Sequence, residues 1–443
     1  MKSRLAARGD QMITNQDIPV PTWFVNYDAA DHSLQYWKTA NDCSPSGTQN
    51  ADYGTVYVQA GDSDAWQTQY AGPISKVAVD SRQSLSGREI HDFLTCYTRY
   101  DNTSAYGNAL MLRGDYTDVI VNAHKSPDRY AEQKVTMPDG ATATMICTIV
   151  DIEGEPREIL FYIPDNASEL QPDGAPVITA WAGGSQTNII FFDSTCWWET
   201  ANQNGIALIF TNEAYNTSVA VTPADVDACY HAMLDLLEGW NDSGKFQFDL
   251  SRIYSTGQSM GSMESQQFAQ ETPDYYAAVA STSFYQDYPD AHSDKPIPTY
   301  LINGEGNGKD DTGTPYDDRW NRTDDWAQYF LRVNGFVYTP AVYAADGTVT
   351  TFGVPVSEPV FTVTGPYDRF ETYTWINGQD IPLVQYTNSL YRPHNCLTSE
   401  IPMLWDFLEH YRCERDEDGA VTARYYSASA FERDDQVLIQ FGA

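Results

Sequence analysis

Hydrophobic and polar positions fall into short blocks of two kinds along most of this chain. Lys134–Met137, Thr142–Asp151 and Arg157–Ile163 are β-rich runs joined by the turn pairs Asp139-Gly140 and Glu153-Gly154, which predicts leading antiparallel strands. Pro176–Trp181 and Ile206–Thr211 are near-continuous apolar runs, the pattern of strands buried on both faces, with a helix predicted between them over Phe192–Gly205. Pro223–Trp240 has a helical period, with Val226, Cys229, Tyr230, Met233, Leu236, Leu237 and Trp240 on its apolar face. A strand at 252–256, a helix over Ser262–Gln270 and strands at Ala277–Ala280 and Thr299–Asn303 follow. Further on, Leu383–Tyr386 reads as a strand and Ser399–Tyr411 as a closing helix. Strands alternating with helices predict an α/β fold, a mostly parallel sheet with helices on both faces.

Two stretches interrupt that alternation. Gly304–Asp325 is polar and acidic, and its GNGKDD run lacks the spacing of a calcium loop, so it reads as a solvated loop. Residues 336–380 hold β-rich runs at Phe336–Val342, Thr348–Phe352, Val360–Val363 and Tyr373–Ile376, the pattern of an inserted hairpin or cap.

The first hundred residues repeat a pattern found later. Strands are predicted at Val20–Asn26 and Thr55–Gln59, helices at Ser33–Ala40 and Arg88–Tyr100, and residues 102–130 read as loop-rich. Ile18-Pro-Val-Pro-Thr-Trp-Phe-Val-Asn26 matches Pro296-Ile-Pro-Thr-Tyr-Leu-Ile-Asn303, and Gln35-Tyr-Trp-Lys-Thr-Ala-Asn41 matches Gln328-Tyr-Phe-Leu-Arg-Val-Asn334. Ile90-His-Asp-Phe-Leu-Thr-Cys-Tyr97 matches Leu404-Trp-Asp-Phe-Leu-Glu-His-Tyr411. Three matches in one order indicate a degenerate internal repeat. The expected organisation is an N-terminal accessory segment over 1–130, a catalytic domain over 131–415 with the β-rich insertion at about 336–380, and a C-terminal extension over 416–443. The apolar faces of the accessory segment (Trp23, Phe24, Val25, Ile90, Phe93, Leu94, Tyr97) predict that it docks on the later domain as a structural or lid-like part.

Charge narrows the possible partners. Against 26 basic residues stand 61 acidic ones, a formal charge of −35, and such a field repels nucleic acid and anionic membranes. No apolar run is long enough to span a bilayer, and residues 1–16 carry no apolar signal core. A cytoplasmic location is expected, or a secreted one if a leader has been removed. The seven cysteines are scattered without a C-x-x-C pair, which points to reduced thiols, with Cys396 the one placed for a bridge. No metal or cofactor is expected.

The chemistry gathers at Gly257-Gln258-Ser259-Met260-Gly261. Strand, G-x-S-x-G turn and helix are the setting of a nucleophile elbow: the serine is held in a strained turn, small residues flank it, and the next N–H faces a developing oxyanion. Acyl transfer also needs a base, an acid that orients it and a second oxyanion donor. Of the histidines after Ser259, His292 is too near the elbow to follow an acid strand, His410 falls inside the predicted last helix, and His394 precedes that helix in a loop. The acid is expected just past Thr299–Asn303, where Glu305, Asn307, Asp310 and Asp311 stand; Asp310 or Asp311 is the expected carboxylate. Ala182-Gly183-Gly184-Ser185 follows a buried strand and offers further oxyanion N–H groups.

With these residues the stretch from about 134 to 412 resembles α/β-hydrolases of the polyhydroxybutyrate-depolymerase and feruloyl-esterase type. The resemblance is carried by Arg157-Glu-Ile-Leu-Phe-Tyr-Ile-Pro164, Ala182-Gly-Gly-Ser-Gln186, Trp198–Ile209, Gly257-Gln-Ser-Met-Gly261, and His394 before Leu404-Trp-Asp-Phe-Leu408. It implies Ser259 as nucleophile, His394 as base, and oxyanion donors at Met260 and at Gly184 or Ser185. Two positions depart from the family pattern: Ala182 stands where a histidine is usual, and Asn307 where the acid is usual. The expectation is a serine carboxylesterase acting on a small or oligomeric ester, its substrate hydroxyacyl or hydroxycinnamoyl. A non-catalytic binding protein on the same scaffold and a serine peptidase are the competing readings.

Overall fold

The computed structural model describes residues 21–26, 33–41, 43–58, 75–94, 97–100, 109–112, 118–137, 139–152, 154–184, 186–214, 223–304, 323–338, 342–343, 349–351, 360–363, 369–390, 396–416, 419–429 and 435–442. The chain divides into two units, Met1–Asp115 with Thr136–Gly140, and Tyr116–Val135 with Ala141–Ala443.

The larger unit is built on an eleven-stranded sheet. Its strands are β7 (Tyr130–Thr136), β8 (Thr142–Ile152), β9 (Glu155–Pro164), β10 (Ala175–Trp181), β11 (Ala207–Ala214), β12 (Phe248–Gly257), β13 (Ala278–Thr282), β14 (Thr299–Gly304), β17 (Val360–Val363), β18 (Arg369–Ile376) and β19 (Pro382–Leu390). They lie in the order β17-β18-β19-β14-β13-β12-β10-β11-β9-β8-β7. Strands β11, β10, β12, β13, β14 and β19 are parallel to their neighbours in that series, and β9 pairs antiparallel with both β8 and β11. The central eight, β8-β9-β11-β10-β12-β13-β14-β19, have the strand order of the α/β-hydrolase fold. The chain leaves β10 in one direction to form β11 and returns on the other side to form β12. That reversal opens a crevice at the carboxyl ends of β10 and β12, the place where open α/β sheets bind ligands.

The helices of this unit are α3 (Asp118–Lys125), α4 (Ala167–Leu170), α5 (Asn188–Thr195), α6 (Trp197–Asn204), α7 (Pro223–Ser243), α8 (Met260–Glu271), α9 (Thr323–Val333) and α10 (Glu400–Leu408). The helix expected over Phe192–Gly205 is two helices, because Cys196 takes a left-handed conformation (φ 55°) and breaks the hydrogen-bond ladder. Helix α3 lies in a stretch read as loop: it buries Val119 and Ala123, a two-residue contact too small to register as periodicity. Strands β17 and β18 extend the main sheet beside β19 instead of forming a separate cap, while β15 (Val342–Tyr343) and β16 (Val349–Thr351) pair with each other. The closing helix stops at Leu408, so His410 lies beyond it, and the chain turns into β20 (Tyr411–Arg415), β21 (Val421–Tyr426) and β22 (Val437–Leu438). No disulfide joins the six described cysteines, Cys396 among them.

The β20–β22 sheet is locked to the base of the main sheet through buried cations. Arg424 donates to the carbonyls of Ala277 (3.2 Å), Pro296 (3.2 Å), Tyr276 (3.0 Å) and Pro273. Burial pulls its pKa down to about 10, which leaves it cationic at neutral pH. Asp249 receives Arg252 (2.9 Å) and Arg412, and although burial opposes ionisation these guanidiniums and Ser251 hold its carboxyl below the usual range.

The smaller unit has a four-stranded sheet of its own. It contains β1 (Thr22–Val25), α1 (Ser33–Ala40), β2 (Thr48–Asn50), β3 (Gly54–Val58), β4 (Ser75–Asp80), α2 (Gly87–Leu94), β5 (Tyr97–Tyr100) and β6 (Ala109–Leu112). The helix expected over Arg88–Tyr100 ends at Leu94 and gives way to a strand, as the β-favouring Tyr and Thr of Tyr97-Thr-Arg-Tyr100 would direct. Its sheet order β1-β4-β3-β2, parallel then antiparallel twice, is also the order and direction of β14-β19-β18-β17. Thr22, aligned in sequence with Thr299, pairs with Val77 as Thr299 pairs with Val384. Asn41 and Asn334 each return a side-chain N–H to the carbonyl four residues back, at 2.8 Å, and end their helices alike. Trp23 lies 5.2 Å from Phe93, and Tyr300 lies 5.4 Å from Phe407.

Replacing Arg424 by Leu is expected to lower stability by about 3–5 kcal/mol in urea unfolding, because it strands buried carbonyls; a change under about 1 kcal/mol would contradict the clamp. Glu409 supplies a pH test. Burial first, then the charge of Asp406, raises its pKa to about 7, above the 4.5 of an exposed glutamate. The native state thus holds this proton more tightly than the unfolded chain, and stability is lost as pH rises from about 4.5 through 7. Glu409→Gln is expected to be more stabilising at pH 8 than at pH 4, by on the order of 1 kcal/mol after solvent screening. Equal effects at both pH values would contradict it.

Candidate active site

Ser259 stands at the turn between β12 and α8 with φ 58° and ψ −116°, a conformation costing an L-residue about 1–3 kcal/mol. The glycines on either side are required by contact. A Cβ at Gly257 would lie 2.1 Å from Gly261 O, and one at Gly261 would lie 1.8 Å from Trp181 O. Strand β12 and helix α8 thus meet backbone to backbone, and α8 presses onto the end of β10. The turn is tied on its other side by Ser259 N–H donating to Thr282 O (3.2 Å) and by the pairing of Gln258 with Thr282. Ser259 is half-buried, and its side chain makes no capping bond to α8.

The oxyanion side is built from the neighbouring strand end. Met260 is the first residue of α8, so its N–H belongs to the positive end of that helix. Gly183 donates its N–H to Gln186 Oε1 (2.9 Å), which spends that donor within the turn. The next residue, Gly184, is exposed, and a Cβ there would sit 4.0 Å from Met260 Cβ. Met260 and Gly184 therefore adjoin each other at the carboxyl ends of β12 and β10. Ser185, His394, Asp310 and Asp311, with Glu305 and Asn307, lie outside the described residues. The strands that lead to them are described: β14 ends at Gly304 and β19 at Leu390, and both run parallel to β12 through β13, so these ends emerge on the edge that carries Ser259.

The histidines set aside in the sequence have other partners. His292 bonds Asp287 (2.6 Å), stacks on Tyr329 (4.0 Å) and lines a cavity of about 220 Å³ with Asp325, Gln328 and Arg332. That loop is fastened to Gln270 at the far end of α8, since Tyr288 N–H donates to its side chain and Ser293 N–H to its carbonyl. The ten residue steps from Met260 to Gln270 span about 15 Å of helix. His410 faces Ser427 O at 2.7 Å. Among the described residues no group of His, Cys, Asp and Glu is arranged to hold a metal ion, and no helix is long and apolar enough to cross a membrane.

Sequence reasoning missed how α8 is supported. Its Ser and Gln residues suggest a solvent face, yet Ser262, Ser265, Gln266 and Gln270 are fully buried. Ser265 meets Ser255 (2.8 Å), which accepts Trp181 Nε1–H (3.1 Å); Gln266 donates to Ser281 (2.7 Å); Gln270 donates to Gln286 O (3.1 Å). This polar scaffold fixes the helix behind Ser259.

No protein-family model and no curated protein matches the chain. Among solved structures it is similar to an acetyl xylan esterase from Aspergillus awamori, with 15% identity, 63% of this chain and 99% of that one covered, and a TM-score of 0.39. It is also similar to an S-formylglutathione hydrolase from Agrobacterium tumefaciens (13% identity, 45% and 84% covered, TM-score 0.32). A third is a feruloyl esterase module from Clostridium thermocellum complexed with sinapinate (12% identity, 37% and 67% covered, TM-score 0.28).

Gly261→Ala is expected to break the elbow, because backbone at 1.8 Å cannot make room for a methyl group. Unfolding or loss of more than about 3 kcal/mol of stability is the expected result. A variant with unchanged melting temperature would show that the strand–helix contact is looser than described.

Proposed function

We propose that this protein is a serine carboxylesterase, with Ser259 as nucleophile, His394 as general base and Asp310 or Asp311 as the orienting acid. The observation that carries the reading is the strained elbow at Ser259, beside Met260 and Gly184 at the reversal point of the sheet. In this reading Ser259 Oγ attacks the ester carbonyl while its proton passes to His394. The N–H groups of Met260 and of Gly184 or Ser185 hold the oxyanion. Collapse expels the alcohol, which takes the proton, and water then releases the acid by the same steps. Support for the base and the acid comes from chain order: 305–311 follow β14 and 391–395 follow β19, on the edge where β12 delivers the nucleophile. The substrate class proposed is a hydroxyacyl or hydroxycinnamoyl ester.

The N-terminal segment is proposed to be a degenerate repeat without chemistry. Supporting it are the shared strand order and pairing of β1-β4-β3-β2 with β14-β19-β18-β17 and the matched helix ends at Asn41 and Asn334. In the aligned register only residues 84–85 stand where 391–399 stand in the later copy, so the segment carrying the base has no counterpart.

Short aliphatic, 3-hydroxyacyl and hydroxycinnamoyl esters, assayed with wild type, Ser259→Ala and His394→Ala, test the proposal. Ser259→Ala is expected to abolish turnover, and His394→Ala to lower kcat by roughly 10³-fold or more with little change in KM. One of Asp310→Asn and Asp311→Asn is expected to cost roughly 10⁴-fold. Undiminished turnover in Ser259→Ala would end the reading, and a His394 variant within about tenfold of wild type would move the base elsewhere.

A further inference from the structure

A carboxylate is buried behind the elbow where an apolar side chain would pack as well. Glu400 is the first residue of α10 and has no solvent exposure. The residues that follow it in the helix, Ile401, Leu404, Trp405 and Leu408, are buried apolar groups, and α10 packs against β13 and β14. Removing a carboxylate from water costs several kcal/mol unless specific bonds replace its hydration. One such bond lies beside the elbow: Thr282 Oγ1–H donates to Glu400 Oε2 at 2.8 Å. Thr282 is also the residue whose carbonyl accepts the N–H of Ser259 (3.2 Å) and whose backbone pairs with Gln258. The strained serine, the end of β13 and the start of α10 therefore form one hydrogen-bonded chain.

That chain ends at the segment expected to carry the base. Glu400 N–H closes a turn on Leu397 O (3.0 Å), and Ile401 N–H bonds Thr398 O (3.2 Å), so the backbone just after 391–395 is fastened through Glu400. We propose that Glu400 is a positioning residue: through Thr282 it sets the register between the nucleophile turn and the base segment. The inference rests on the serine-esterase reading and adds to it a group outside the triad. Its expected effect is on the chemical step, since a displacement of about 1 Å between nucleophile and base costs on the order of 10²-fold in rate.

The experiment compares Glu400→Ala, Glu400→Gln, Thr282→Val, Thr282→Ser and the Glu400→Ala/Thr282→Val double variant. Each kcat is expressed per active site titrated with a fluorophosphonate. Glu400→Ala and Thr282→Val are expected to lose about 10–100-fold in kcat with KM within about twofold. Glu400→Gln keeps an acceptor oxygen and Thr282→Ser keeps the hydroxyl, so both are expected to stay within about fivefold of wild type. The double variant is expected to be no worse than the poorer single one, because both act through one bond. A structural role alone would lower melting temperature and the number of titratable sites while leaving kcat per site at the wild-type value, and that result would overturn the inference. Additive losses in the double variant would overturn it as well. Wild type that is neither active nor labelled would sink the serine-esterase reading and this inference with it.

Discussion

The site depends on a contact that leaves no room for a side chain. The carbonyl of Trp181 at the end of β10 faces Gly261 so closely that a methyl group would overlap it, and Gly261 O closes on Gly257 in the same way. Three backbones, the ends of β10 and β12 and the start of α8, converge on one point. Ser259 is carried out of that convergence with φ 58°, and the strain persists because the glycine contacts and the bond to Thr282 over-determine it. The same convergence brings Met260 and Gly184 side by side. The proposed nucleophile and oxyanion donors are thus consequences of a single packing constraint.

What holds that constraint is unusually polar. Helix α8 is gripped by hydrogen bonds with Ser255, Ser281, Trp326 and Gln286 as well as by the packing of Phe268 on Trp181 and Tyr276, and the β20–β22 sheet braces the opposite end of β12 and β13 through Arg412 and Arg424. Such networks are directional, so they fix the elbow's position more sharply than aliphatic packing, at the cost that any unsatisfied member is expensive.

Much of this was legible in the chain. Continuous apolar runs located β10, β11 and β13, and the G-x-S-x-G spacing identified a turn whose glycines prove sterically necessary. The repeated P-T-[WY]-[FL]-[VI]-N and Gln-to-Asn blocks pointed to a degenerate internal repeat, but not to the strand order that β1-β4-β3-β2 and β14-β19-β18-β17 share. The remainder failed for physical reasons. Cys196 breaks a helix without a Gly or Pro to announce it. Helix α8 is buried although its composition reads as solvent-facing, because polar satisfaction is a tertiary property that periodicity does not encode. Strands β17 and β18 pair with their neighbours in sequence and join the main sheet only because β19 pairs with β14, a partner distant in sequence. Glu400 reads as an ordinary acidic residue in a first helical turn, and its burial against Thr282 follows from the sheet order alone. His394, Asp310, Asp311 and Ser185 lie outside the described residues, so their roles rest on chain order and on the strand ends that lead to them.

If the strained turn makes Ser259 a nucleophile toward esters, the serine must carry the acyl group between the two half-reactions. Rapid quenching of a slow-deacylating aryl ester, followed by mass analysis of the peptide carrying Gly257–Gly261, detects that intermediate. An acyl adduct on Ser259, formed in a burst matching the enzyme concentration, is the expected result. Steady hydrolysis with no adduct on that peptide, or an adduct on another residue, would contradict it.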